Sequence, residues 1–325
     1  MFRRGRCCKR EPGVLCNFAP SRAVPQGCCS LYGAHGSLAS ARLGSNANHA
    51  TRPSSPPIDR SLSTIVIIPA FNEARAVGRV IGDLPDGLVD EVVVVDNAST
   101  DETERNARRA GATVLREEQR GYGRACLRGI RYAKAKPPPA RPDVVIFLDG
   151  DYSDHPGELP TLLAPIRRGD ADFVLASRLR GERLGRVDPG AMLPQARLGN
   201  RLACWLMHRI WGARYTDLGP FRAIRLEALQ ALGMADETFG WTIEMQIKAA
   251  EAGLRTAEVP ASYRRRRAGA SKITGTVLGT VRASAKILWT IFRMAATRGQ
   301  RSYPALAHSS RNEAASERGA APSSP

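Results

Sequence analysis

Between residues 63 and 177, short β-rich apolar runs alternate with segments of helical period, and no other feature limits the fold so tightly. The runs are STIVIIP (63–69), EVVVVD (91–96), ATVL (112–115), DVVIFLD (143–149) and DFVLAS (172–177). The spacing of apolar residues between them predicts helices over 73–83, 101–110, 123–135 and 158–168. Strands that are apolar on both faces and joined through helices belong to a mostly parallel sheet covered on both sides. Further along, the pattern predicts a helix over 191–210, a strand-like stretch in TDLGPFRAIR (216–225), a helix over 241–253 and a strand in RTAEVPASYRRR (255–266). The segment 273–295 has an amphipathic helical period, with Lys286 and Arg293 near Trp289 and Phe292.

In such a sheet, ligands sit beyond the carboxyl ends of the strands. Three polar clusters fall there: Pro69 to Glu73, Asp96 to Asp101, and Asp149 to Asp154. The strongest is LDGDYSD (148–154), where Asp149 and Asp151 flank a glycine at the end of an apolar strand. Two carboxylates this close repel unless a cation lies between them, and oxygen ligands select Mg²⁺ or Mn²⁺. A cation held there would neutralise the charge of a departing diphosphate. A solvated acidic turn is the plainer alternative for this motif alone. PAFNEA (69–74) suits either a ligand contact or a helix N-cap with an early acidic residue. In DNASTDET (96–103), Asp96 is placed to accept from a ribose or base, while Ser99 and Asp101 suit capping equally well. RGYGRA (120–125) is a glycine-bearing turn that permits close backbone approach to a nucleotide. Cys126 and Cys204 lie in helical patterns as buried apolar fillers.

Charge narrows the function classes. Lys plus Arg exceed Asp plus Glu by 48 to 31, yet the excess sits at the flanks. Residues 1–60 hold 9 basic and 2 acidic residues, 61–260 hold 27 of each, and 261–300 hold 9 basic and no acidic residue. A nucleic-acid reader would carry its positive charge on the folded domain, so this distribution argues against one. A neutral domain with a basic edge fits an anionic membrane surface. No window is apolar enough for a spanning helix, and no signal peptide follows MFRRGRCCKR, which leads to an expectation of a cytoplasmic protein, peripheral at the inner membrane face. Five cysteines fall in the first 29 residues without CxxC spacing, which argues against a zinc site.

Taken together, PAFNEA, DNASTDET, GYGRA and LDGDYSD, in this order and spacing, resemble the inverting family-2 glycosyltransferases of GT-A fold. Among these, the dolichyl- and polyprenyl-phosphate sugar transferases are the most similar. The resemblance runs over about 63–275, through ASR (176–178), ARLGN (196–200), TDLGPFRA (216–223) and EVPASYRRRRAGASKI (258–273). It implies an α/β, Rossmann-like sheet with helices on both faces and a C-terminal amphipathic helix. It also implies a UDP- or GDP-hexose donor, and Mg²⁺ or Mn²⁺ on Asp149 and Asp151. Pro69, Phe71, Glu73 and Asp96 would help bind the nucleotide. Arg178 and Arg197 would face the acceptor, with Arg222 and Lys272 near the bound phosphates, as suits guanidinium chemistry. A phosphate acceptor needs no strong base; for a hydroxyl acceptor Glu244 is the candidate base, or else a helix-surface glutamate.

The sequence departs from the family where YSDHP follows the DxD pair, which puts a third metal ligand there in doubt. It also lacks the C-terminal spanning helices of many lipid-linked relatives. The expected organisation is a basic, Cys-containing disordered arm (1–60), a catalytic domain (61–270), an amphipathic helix that lies in a membrane interface or packs on the domain (271–296), and a disordered tail (297–325). The leading expectation is hexose transfer to a polyprenyl phosphate. A soluble transferase for a small phosphorylated or hydroxyl acceptor is second, and a non-catalytic basic binder of membrane or nucleic acid ranks below both.

Overall fold

The computed structural model describes residues 62–266 and 277–304, the latter with side chains from residue 284 onward. The arm over 1–60, Lys272 and residues 305–325 lie outside the described residues. Seven strands form one sheet: β1 (Thr64–Ala70), β2 (Glu91–Asp96), β3 (Thr113–Arg116), β4 (Val144–Phe147), β5 (Phe173–Ser177), β6 (Arg222–Arg225) and β7 (Thr256–Pro260). Their order is β3-β2-β1-β4-β6-β5-β7, and only β6 runs against its neighbours. The architecture is the α/β, mostly parallel sheet expected.

Alternation along each strand divides the core between two faces. Ile65, Ile67, Val93, Val95, Val145 and Phe147 face α3 (Tyr122–Ala135), α6 (Pro194–Trp211), α8 (Trp241–Glu251) and α9 (Val277–Ala296). Val66, Ile68, Val94, Val144 and Ile146 face α1 (Val77–Gly82), α2 (Thr103–Arg109) and α4 (Leu159–Arg167). Each such side chain contributes about 1.5–3 kcal/mol when fully buried. Cys126 and Cys204 are buried in the first of these layers, as expected of apolar fillers.

Four differences from the sequence expectation have physical causes. The first helix begins at Val77, because the backbone of Asn72 and Glu73 is captured by Ser99 and Thr103 of the neighbouring loop. TDLGPFRAIR is a strand only over its last four residues: Pro220 has no N–H for a ladder, and Asp217 binds side chains instead. Two short helices, α5 (Arg178–Arg183) and α7 (Leu226–Leu232), carry too few residues to show a period. The tail does not lose structure at 297. Arg301 Nε and the Tyr303 hydroxyl both donate to Glu251 of α8, each at 2.7 Å.

Candidate active site

The carboxyl ends of β1, β2 and β4 open into a cavity of about 530 Å³. The parallel register sets Ala70 beside Asp96, which brings the first two polar clusters together. They then lock each other. Asn72 N donates to Ser99 Oγ, Thr100 N donates to Asn72 Oδ1, and Glu73 N donates to Thr103 Oγ1. Asn72 takes a positive φ of 52° in this turn, a conformation asparagine tolerates better than most residues. Pro69, Phe71 and Glu73 line the cavity as a result, with the Arg120 guanidinium 4.3 Å from the centre of the Phe71 ring. Asp96 sits just behind this wall. Its Oδ2 accepts from Arg116 at 3.1 Å, whereas its buried Oδ1 has no hydrogen-bond partner among the described residues.

Asp149, Gly150 and Asp151 line the same cavity where the chain leaves β4. Asp149 is half-buried and accepts from the Tyr122 hydroxyl at 3.1 Å. Burial, and after it the charge of Asp151, pushes the Asp149 carboxyl up to about 7. Asp151 Oδ1 accepts from Ser153 N, and its Oδ2 accepts from Arg266 Nε at 2.9 Å and Nη2 at 2.7 Å. No cluster of three acidic, His or Cys groups suited to a metal occurs among the described residues. Two carboxylates remain a sufficient protein contribution for a hard divalent cation that keeps waters and takes phosphate oxygens.

Arg178, first residue of α5, completes the polar wall. Its Nε and Nη2 donate to the two carboxylate oxygens of Asp217 at 2.9 and 2.8 Å, and Asn200 Nδ2 donates to Asp217 from α6 at 3.0 Å. Burial alone would lift the Asp217 carboxyl, but the Arg178 guanidinium overrides it and holds the group below the usual range. Much of the remaining lining is apolar, with Met192, Leu193, Leu218, Phe239 and Ile287, and Gln195, Asn200, Thr242 and Ser284 are interspersed among them.

Several expected residues stand elsewhere. Arg222 is fully buried, donating to the carbonyls of Gly219 and Thr242 between the rings of Phe173 and Trp241, so it braces a turn and does not reach the cavity. Glu244 is also buried. It accepts from Ala235 N and Asp236 N and pairs with Lys248 at 2.9 Å, because α8 is enclosed on nearly all sides and turns this residue to the preceding loop. A general base is therefore not found at Glu244. Arg197 pairs with Glu182 at 2.6 Å beside the cavity wall without lining it. The glycines of GYG serve protein packing: a methyl group on Gly121 or Gly123 would collide with the carbonyls of Glu237 and Asp236. Gly121 lines the cavity as well.

Three contributors were not singled out by sequence pattern. Tyr122 lies within GYGRA, Asp217 within TDLGPFRA, and Arg266 within a run of four arginines whose members are indistinguishable without geometry. A buried acid paired with a basic residue 39 positions away leaves no local periodic signal.

The family model for glycosyl transferase family 2 matches residues 65–230. An uncharacterised glycosyltransferase of Mycobacterium tuberculosis is 34% identical over 217 residues, covering 66% of this chain and 92% of its own. The undecaprenyl-phosphate mannosyltransferase of Micrococcus luteus is 32% identical over 232 residues, covering 67% and 90%. The crystal structure of glucosyl-3-phosphoglycerate synthase from Mycobacterium tuberculosis, in complex with Mn²⁺, UDP and glucosyl-3-phosphoglycerate, superposes with a TM-score of 0.57. It covers 72% of this chain and 80% of its own at 24% identity, a likeness of fold. With the family model spanning half the chain and the same strand-end motifs gathered at one cavity, the protein belongs to glycosyl transferase family 2 and is a glycosyltransferase.

Proposed function

We propose that this enzyme transfers a hexose from a UDP- or GDP-linked donor to a polyprenyl phosphate, with Mg²⁺ or Mn²⁺ held by Asp149 and Asp151. The observation that carries this reading is one cavity lined by a carboxylate pair, a clamped arginine and an apolar wall. The fit of a cation rests on two neighbouring carboxylates at one cavity, of which Asp149 is lifted by burial and then by the charge of Asp151; a divalent ion would favour the ionised form of both. When bound, the cation supplies charge neutralisation to the leaving nucleoside diphosphate.

The protein's own groups do the rest. Asp96 Oδ1, buried just behind the cavity wall and without a hydrogen-bond partner among the described residues, would accept from a ribose hydroxyl or base N–H that entered there, and Phe71 lines that wall with Arg120 over its ring. Arg178 is held in one orientation by Asp217 and presents its remaining donors to an anionic acceptor. An acceptor phosphate is already ionised at neutral pH, so the enclosure of Glu244 in α8 leaves no missing step. The apolar lining suits the first isoprene units of a lipid.

Two packed helices extend that apolar surface outward. On α6, Leu198, Leu202 and Trp205 share one face at helical spacing and are exposed; on α9, Trp289 and Phe292 are more than half exposed. Lys286 and Arg293 each lie 4.8 Å from the Trp289 ring. Such a surface suits a membrane interface, where indoles and basic side chains lie at headgroup level. No helix among the described residues is long and apolar enough to cross a membrane. In this reading residues 61–270 are the catalytic domain and 271–296 the interfacial helix.

A small phosphorylated acceptor is the second reading. It is favoured by 37% identity over 127 residues to glucosyl-3-phosphoglycerate synthase of Mycolicibacterium paratuberculosis. Incubation with radiolabelled UDP- and GDP-hexoses, undecaprenyl phosphate or 3-phosphoglycerate, and Mn²⁺ separates the two. Label in the organic phase is the expected result. Label confined to the aqueous phosphoglycerate product would replace the lipid acceptor with the small one.

A further inference from the structure

The two carboxylates of the cation site have unlike surroundings. Asp149 receives one neutral hydrogen bond, from the Tyr122 hydroxyl. Asp151 is already matched by a protein cation: Arg266 Nε and Nη2 converge on a single oxygen, Oδ2. The same Nη2 lies 3.4 Å from Glu73 Oε1, and Arg266 itself lines the cavity. With two donors on it, Oδ2 has its lone pairs engaged, so a divalent cation can take that oxygen only at the expense of the guanidinium, which it also repels.

We propose that Arg266 is the resident counter-ion of the cation site, which a divalent cation must displace from Asp151 Oδ2 before it can take that oxygen. This rests on the reading of Asp149 and Asp151 as the cation ligands. Displacement has a consequence for binding order. A cation arriving alone must break two charge-assisted hydrogen bonds and leave a second positive group beside it in a partly enclosed cavity. A nucleoside diphosphate arriving with the cation brings the negative charge that the displaced guanidinium then lacks. Cation and nucleotide therefore tighten each other's binding, and by linkage the factor is the same in both directions. Arg266 acts here as a positioning residue: it offsets the charge of the acidic pair and makes it responsive to a cation–diphosphate pair more than to a cation alone.

Mn²⁺ binding to the full chain, followed by the loss of the free-ion electron paramagnetic resonance signal, tests this without turnover. The wild type, Arg266→Gln and Arg266→Lys are titrated alone and with UDP or GDP. In the wild type, nucleotide is expected to tighten Mn²⁺ by about tenfold or more, within the usual range of coupling between sites. Arg266→Gln should bind Mn²⁺ alone several-fold more tightly than wild type, with the nucleotide effect reduced to about threefold or less. Arg266→Lys, which keeps the charge but not the double donor, should fall between. Mn²⁺ affinity in Arg266→Gln equal to or weaker than wild type, with melting temperatures alike, overturns the counter-ion role and leaves the cation site standing. Failure of every protein to bind Mn²⁺ with either nucleotide overturns the cation site and this inference together.

Discussion

Asp149 is half-buried at the cavity and Asp217 fully buried behind it, yet their surroundings drive the two carboxyl groups in opposite directions. Burial and the neighbouring Asp151 raise Asp149 from 3.8 to about 7, while Arg178 holds Asp217 low. Over the window from about 4 to about 7 the folded protein keeps the Asp149 proton that the unfolded chain has released, so cation-free stability should fall as pH rises through it. Mn²⁺ would favour the ionised carboxylate and outweigh both causes, and its effect on melting temperature should be larger near pH 8 than near pH 5. An equal effect at both would mean the ion binds elsewhere. Asp217 has the reverse sign: its contribution is present above the ordinary carboxylate range and is lost as pH falls below it. Asp217→Asn would leave Arg178 charged and deprived of its partner, which should cost about 3–5 kcal/mol in denaturant unfolding. At this scale the sequence showed which residues end strands, so Asp149, Asp151, Glu73 and Phe71 were legible. It did not show direction. Arg222 and Glu244 carry suitable chemistry but turn into backbone carbonyl and amide groups, a choice made by packing around α8 that no motif records.

Among the elements, those with strong periods were readable. β1, β4 and β5 bury every residue and β2 its last four, and such runs appear in the sequence as nearly unbroken apolar segments. β6 was harder to place because the preceding turn is held by the Asp217 carboxylate and by a proline, both of which look like loop chemistry inside a strand-like composition. The GYG turn was legible as a close-approach site, but the approaching partner is the 236–237 backbone. Gly123→Ala should therefore destabilise the fold by about 1–3 kcal/mol through overpacking at the start of α3, measured by urea unfolding. A change within error would mean that this contact is loose. α6 and α9 pack together and leave Trp205 and Trp289 outside. Replacing both by Ala should weaken sedimentation with anionic vesicles at least about tenfold, while transfer to a short, water-soluble polyprenyl phosphate is retained. Unchanged sedimentation would remove these helices from the membrane account.

For the molecule as a whole, one sheet gathers three loops that are far apart in sequence, and the loops meet because parallel strands end on the same side. That is why the order of motifs carried more information than any one of them. The middle of the chain is balanced in charge, and the basic flank after β7 brings Arg266 onto Asp151. What the whole-chain pattern could not supply is the identity of the sugar or nucleotide, since these depend on hydrogen bonds made within a cavity and not on spacing. The central claim is that Asp149 and Asp151 bind a nucleotide sugar through a divalent cation. A thermal-shift screen of UDP-, GDP- and dTDP-sugars on wild type and Asp151→Asn, with and without Mn²⁺, tests it most directly. A donor at about a hundred times its dissociation constant should raise the wild-type melting temperature by about 5 °C or more, only with Mn²⁺, and not in Asp151→Asn. Equal shifts in both proteins, or in the presence of a chelator, would contradict it.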